Sequence, residues 1–303
     1  MCGSVGLLYL QRGGGFAVEY NFKDHEEILD FYNSGAEIKR LQTGIGKLEF
    51  ERSKEIISRY LGGSNQNSVN NMLIIYDIGG GTGEYARWLA GMGHEVHLLE
   101  LSPKAIDYAR ELNKNLERPI AQMQVANALS LELPDESADM VLLMGPLYHL
   151  TERSDRIKAL KEAGRVLKEG GILITSAISR YGSTLWGLSV FGQKNHFIDD
   201  EIFFEMIDRE LTNGQHVRPE KYPGFIARSF FHLPGELKEE IQDAGFIHEN
   251  MITVEGPVWI VPLFEEKWEN TGSRNRLLDI CKKVEAHENI MGMSPHILGI
   301  ARK

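Results

Sequence analysis

Cysteine is nearly missing: the 303 residues contain two, Cys2 and Cys281. They form no CxxC pair and no Cys/His cluster, which excludes a disulfide framework and fits a reducing compartment. Long apolar runs are missing too, since none reaches the roughly 18 residues of a membrane span. Val5–Leu10 is short, with no basic stretch before it and no cleavage pattern, so it does not read as a signal peptide. A cytoplasmic protein is the expectation. Positive charge is in deficit, with 33 Lys and Arg against 43 Asp and Glu, a formal net charge of −10. An acidic surface repels phosphate backbones and anionic lipid, and no basic patch reverses that, so neither nucleic acid nor membrane is expected as a partner.

What is present is the balance of a globular protein, 42% hydrophobic and 25% charged, in a chain long enough to bury a full core. Residues 1–15, ending in Gly13-Gly14-Gly15, read as a flexible start, and 16–71 as an N-terminal helical cap. Within that cap Phe50, Ile57, Tyr60 and Leu61 recur at helical spacing until Gly62-Gly63, and Ser64–Asn71 is a polar linker. From Met72 the pattern alternates. Met72–Ile78, Glu95–Glu100, Ile120–Val125, Ala138–Met144 and Ile172–Ser176 read as strands. Helices fall between them at Glu84–Ala90, from Ser102-Pro103 to Leu116, and at Arg156–Lys168, the last stopped by Gly170-Gly171.

Such alternation means βαβ units and a doubly wound, mostly parallel sheet with right-handed crossovers. Residues 72–179 make the core and 180–232 an aromatic-rich insertion placed as a lid over the strand ends, with a helix around Asp199–Leu211. Residues 233–303 return to the sheet through helices at Pro234–Ala244 and Arg274–Ala286 and extended segments at Ile247–Val254 and His296–Ala301.

The chemistry concentrates where the strands end. Asp77-Ile78-Gly79-Gly80-Gly81-Thr82-Gly83 is a strand-to-helix turn whose glycines allow close backbone approach to a ligand, with free N–H groups at the helix start. Asp77 is placed to meet a ligand's ammonium group through ordered water, and Glu100, ending the second strand, suits a pair of ribose hydroxyls. Asn127-Ala128 follows the third strand, as an adenine-reading pair or a plain turn. Met144-Gly145-Pro146-Leu147-Tyr148-His149 leaves the fourth strand where the sheet order would reverse.

Asp77–Gly83, Glu100-Leu101-Ser102-Pro103, Asn127-Ala128, Leu133-Pro134, Asp139–Leu150 and Arg165–Gly171 together resemble the class I S-adenosylmethionine-dependent methyltransferases over about residues 72–178. The resemblance implies a seven-stranded sheet with its last strand antiparallel, in the small-molecule branch with a helical lid. It implies that Gly79, Gly80, Gly81 and Gly83 line the methionine part of S-adenosylmethionine, that Asp77 supports its amino group, and that Met144 borders the site. Glu100 would hold the ribose, Leu101 the adenine face, and Asn127 with the Ala128 backbone the adenine edge. Many family members carry Asp where Asn127 stands; an amide carbonyl still accepts from an adenine amino group. DNA and glutamine-amide methylators carry Asn/Asp-Pro-Pro-Tyr/Phe at Met144–Leu147, which sets them aside.

Tyr148 and His149 are the catalytic candidates for the methyl-facing wall, with Tyr148 packed under the lid and His149 capping the next helix as the alternative roles. No clustered carboxylates or histidines of the kind that hold Mg²⁺ or Zn²⁺ are visible, so no metal is expected. Arg40 reads as a partner for the cofactor carboxylate or as a surface ion pair. The expected reaction is methyl transfer to a small-molecule O, N or C nucleophile by a monomer or homodimer. A nicotinamide-dependent oxidoreductase and a non-catalytic cofactor-binding protein are the alternatives.

Overall fold

The structure, a computed structural model, describes residues 27–30, 35, 38–62, 72–189 and 196–303. The flexible start, the linker Ser64–Asn71, Tyr32 and Phe191 lie outside the described residues. Helix α1 (Gly46–Ser58) precedes the sheet. Strands β1 (Ile74–Ile78), β2 (Glu95–Glu100), β3 (Gln122–Val125), β4 (Ala138–Leu143) and β5 (Leu167–Ile178) then alternate with helices α2 (Glu84–Gly91), α3 (Pro103–Asn113), the single turn α4 (Pro146–His149) and α5 (Arg153–Val166). The next segment holds α6 (Gly182–Ser189), α7 (Glu201–Asn213) and the small hairpin β6 (Gln215–His216) with β7 (Ser229–Phe230). The chain returns through α8 (Pro234–Asp243), β8 (Ile247–Thr253), α9 (Phe264–Glu269), α10 (Thr271–Val284) and β9 (His296–Arg302).

The main sheet has seven strands in the order β3-β2-β1-β4-β5-β9-β8, with β9 antiparallel to both neighbours. Its central strands are apolar without alternation because helices cover both faces. On one side Leu160 and Ala163 of α5 and Leu237 and Ile241 of α8 pack on Val141, Leu143 and Leu173. On the other, Ile56 and Ile57 of α1, Leu89 of α2 and Ile106 of α3 pack on Ile75, Leu98 and Leu142. Each such side chain contributes about 1.5–3 kcal/mol by leaving water. Helix α3 starts as its sequence dictates: Ser102 Oγ accepts from the Ala105 N–H at 3.2 Å, with Pro103 in the first turn. The strand order reverses between β1 and β4, which leaves a crevice at their carboxyl ends.

Two local expectations need correction. Helix α5 ends at Val166 rather than at the glycine pair, and β5 already begins at Leu167. Gly170, at φ 74°, sits where the β4–β5 register slips, so Gly170-Gly171 serves a strand irregularity. Helices α6 and α9 were not expected at all.

The segment from 180 to 232 leaves and rejoins the sheet at a paired neck, where the Arg180 N–H donates to His232 O (2.9 Å) and the His232 N–H to Ile178 O (2.8 Å). Its aromatics mostly serve its own core: Trp186, Phe197, Tyr222 and Phe225 surround Phe203, Met206 and Ile207. No described helix is long and apolar enough to cross a membrane.

Candidate active site

Two adjoining cavities, with empty volumes of about 560 and 720 Å³, open at the switch point and share Gly79 and Gly145. The first is lined by Glu100, Leu101, Asn127, Ala128 and His149. The second is lined by Asp77, Gly80, Gly81, Met144, Tyr148 and His296. Gly83, at φ 78°, starts α2 and lines neither.

The turn between β1 and α2 requires glycine at two places for different reasons. Gly79 has φ 71°, and a Cβ there would stand 2.5 Å from Pro146 Cδ. A Cβ on Gly80 would stand 2.5 Å from both Asp77 Oδ2 and Leu98 Cδ1. At Gly81 a Cβ would meet nothing within 4 Å, so the space in front of the turn is left to a ligand.

The two carboxylates beside this turn are prepared differently. Asp77 is 1% exposed, and its Oδ2 has no hydrogen-bond partner among the described residues. Burial, reinforced by the charge of Glu100, pushes its pKa up to about 7. Glu100 is held: Oε2 accepts from the Gly81 N–H at 3.0 Å and Oε1 from the Ser102 N–H at 2.8 Å. The first carboxylate is a buried acceptor waiting for a donor; the second is an acceptor held rigidly from two sides.

Asn127 takes the turn role. Its Oδ1 accepts from the Leu129 N–H and its backbone carbonyl from the Ser130 N–H, both at 3.0 Å, while the residue also lines the first cavity. The amide carbonyl expected for adenine therefore already has one donor. Tyr148 and His149, expected on one wall, are divided between the two cavities, because adjacent residues on a helical turn do not face the same way. His149 is buried, which pulls its pKa down to about 4 and keeps it neutral. It does not cap α5, whose N-cap residue is Glu152. Arg40 lines the second cavity and forms an ion pair with Glu49, with Nη2 to Oε1 at 2.9 Å. None of the described residues between 180 and 232 lines either cavity.

The fold also assembles a polar cluster where none was visible in sequence. Glu49, Glu255 and His296 each place a carboxylate oxygen or ring nitrogen within 4.8 Å of the others. They come from α1, the end of β8 and the start of β9, so only the sheet topology joins them. The one sequence signal was a lone charged residue at each of two apolar strand ends, Val254-Glu255 and His296-Ile297.

The sheet order and the glycine turn define the Rossmann-like methyltransferase fold. Residues 76–175 match a family described as a methyltransferase domain, so the chain contains a class I S-adenosylmethionine-dependent methyltransferase domain. A probable tRNA methyltransferase 9B of Mus musculus is 31% identical over 101 residues, 33% of this chain and 21% of its own length. The ubiquinone/menaquinone biosynthesis C-methyltransferase UbiE of Neisseria meningitidis serogroup C is 32% identical over 179 residues, 57% of this chain and 66% of its own. The chain thus spans about a fifth of the length of the first curated relatives it matches. A crystal structure of a methyltransferase from Methanosarcina mazei superposes with a TM-score of 0.54 at 20% identity, covering 82% of this chain and 96% of that one. At that identity the likeness speaks for the fold alone.

Proposed function

We propose that the protein transfers a methyl group from S-adenosylmethionine to a small-molecule O, N or C nucleophile, with residues 180–232 as a lid. The observation that carries this reading is the pair of differently prepared carboxylates at one glycine turn. The buried, unsatisfied Asp77 Oδ2 suits an ammonium group, and the fixed Glu100 carboxylate suits two ribose hydroxyls. The open space at Gly81 fits the methionine chain, and Leu101 with Ala128 offers an apolar slot for a purine.

When bound, the cofactor supplies an electrophilic methyl on a sulfonium sulfur. The chain's part is to hold and shield. Asp77 and Glu100 fix the two ends, Met144 and Tyr148 border the space beyond the turn, and water has to be kept out while a nucleophile is aligned. Ile28 lines the first cavity and packs on Ala227 of the lid segment, a link by which lid and cap cover the nucleoside end together. The net charge of −10 favours a small acceptor over a polyanion, although relatives named as tRNA methyltransferases share the domain.

Calorimetric titration with S-adenosylmethionine, S-adenosylhomocysteine and NADH, repeated on Glu100→Ala, tests the reading. Micromolar binding of the first two, lost in the variant and absent for NADH, is the expected result. Failure of both to bind folded, ligand-free protein would overturn it.

A further inference from the structure

Glu49 and His296 form part of the wall of the second cavity, and Glu255 backs them from behind. Glu255 is fully buried, and each of its carboxylate oxygens is engaged. Oε2 accepts from Ser294 Oγ at 2.9 Å and from the His296 N–H at 3.1 Å, and Oε1 lies 2.7 Å from His296 Nδ1. Both oxygens of Glu49 are taken by the guanidinium of Arg40. Each of the four carboxylate oxygens of this pair thus already has a protein donor, so the cluster presents no unpartnered carboxylate oxygen to an incoming ammonium group.

What the wall still offers is a donor. With Nδ1 committed to Glu255, Nε2 is the remaining nitrogen of His296, and it makes no hydrogen bond to the described residues. The ring lines the cavity among Tyr148, Met144, Val254 and Leu298. Burial alone would lower its pKa, but the charges of Glu49 and Glu255 outweigh that and hold it up at about 9. Arg40 and Tyr85 face the same space from the cap and α2. At neutral pH the ring thus carries both protons, and an imidazolium N–H makes its strongest hydrogen bond to an anionic oxygen.

We propose that His296, oriented by Glu255, binds the methyl acceptor through Nε2–H, and that the acceptor is a molecule with an ionisable hydroxyl, a phenol or enol, held as its oxyanion. The proposal rests on the methyl-transfer reading above. The hydroxyl proton leaves for bulk water on binding, and the imidazolium keeps its own. The oxygen's electron pair then forms the new O–C bond while the C–S bond breaks with its pair to sulfur.

The test uses 4-nitrophenol on protein loaded with S-adenosylhomocysteine, because its phenolate band reports ionisation without any turnover. Bound to wild-type protein the phenol is expected to ionise more readily by about tenfold, one unit of pKa. His296→Gln should abolish that shift while its calorimetric titration with S-adenosylhomocysteine is unchanged. The wild-type reading stands without a variant: protein loaded with S-adenosylhomocysteine that ignores 4-nitrophenol, or binds it as the neutral phenol, overturns the proposal and leaves the cofactor reading intact. Tighter binding of benzylamine than of 4-nitrophenol would overturn it too, in favour of a cationic acceptor. Failure to bind S-adenosylhomocysteine at all would remove the cofactor reading, and this proposal with it.

Discussion

Lowering the pH from 7 to 5 is expected to weaken S-adenosylhomocysteine binding about fiftyfold, through Asp77. Burial, with the Glu100 charge second, sets the pKa of this carboxyl at about 7 in the ligand-free protein. About half of the molecules are then protonated at Asp77 at pH 7, and nearly all of them at pH 5. A bound ammonium favours the charged carboxylate, so binding lowers the pKa and expels a proton. The apparent dissociation constant then scales as one plus the ratio of protonated to ionised Asp77: about 2 at pH 7, about 11 at pH 6 and about 100 at pH 5. The ligand's ammonium stays charged over this range, so the slope belongs to the protein. Without ligand the same group runs the other way. Its pKa is raised from 3.8, so the free fold loses stability as pH rises from about 4 to about 7. Calorimetry at three pH values, in buffers of different ionisation heat, measures both the affinity and the proton released. A flat dissociation constant, or the same slope in Asp77→Asn, would refute the assignment.

Gly80→Ala should cost about 1–3 kcal/mol in a thermal melt and weaken S-adenosylhomocysteine binding, because its Cβ would stand 2.5 Å from Asp77 Oδ2; wild-type values in both assays would contradict the cradle geometry. Arg156 and Glu240 meet through Nε and Nη2 at 2.8–3.0 Å with both side chains 2% exposed, so Arg156→Ala should cost about 3–5 kcal/mol in urea unfolding by leaving the buried carboxylate with only His232 Nε2 at hydrogen-bond distance. A loss below about 1 kcal/mol would show that the pair is not buried in solution. Methyl transfer should survive EDTA, because the oxygens and ring nitrogen of the Glu49, Glu255 and His296 cluster already have hydrogen-bond partners. Loss of activity restored by a divalent cation would contradict this.

The parallel core was legible because its physics is local. Strands covered on both faces are continuous apolar runs, glycines mark the turn after β1, and Ser102-Pro103 is a helix start in both sequence and structure. That Glu100, Leu101, Asn127 and Ala128 share one cavity was legible for the same reason, since each sits at or just past the end of a recognisable strand. Glu49, Glu255 and His296 were not, because their meeting depends on α1 lying across the β8–β9 edge. Asn127 illustrates a different limit: its side chain suits a turn and an adenine edge equally, and only the hydrogen bond to Leu129 reveals the turn. The aromatics of the 180–232 insertion read more readily as that segment's own core than as ligand contacts, and Phe203 and its neighbours are turned toward one another. Helix α6 escaped notice because Gly182–Ser189 has no charged face to create a helical period.

The most direct test is a crystal structure of the protein with S-adenosylhomocysteine. The account predicts the ribose hydroxyls on the Glu100 carboxylate, the ammonium within hydrogen-bond distance of Asp77 Oδ2, and the sulfur opening toward Tyr148 and His296. A ligand bound away from the Gly79–Gly81 turn, or with its sulfur turned from that cavity, would contradict it.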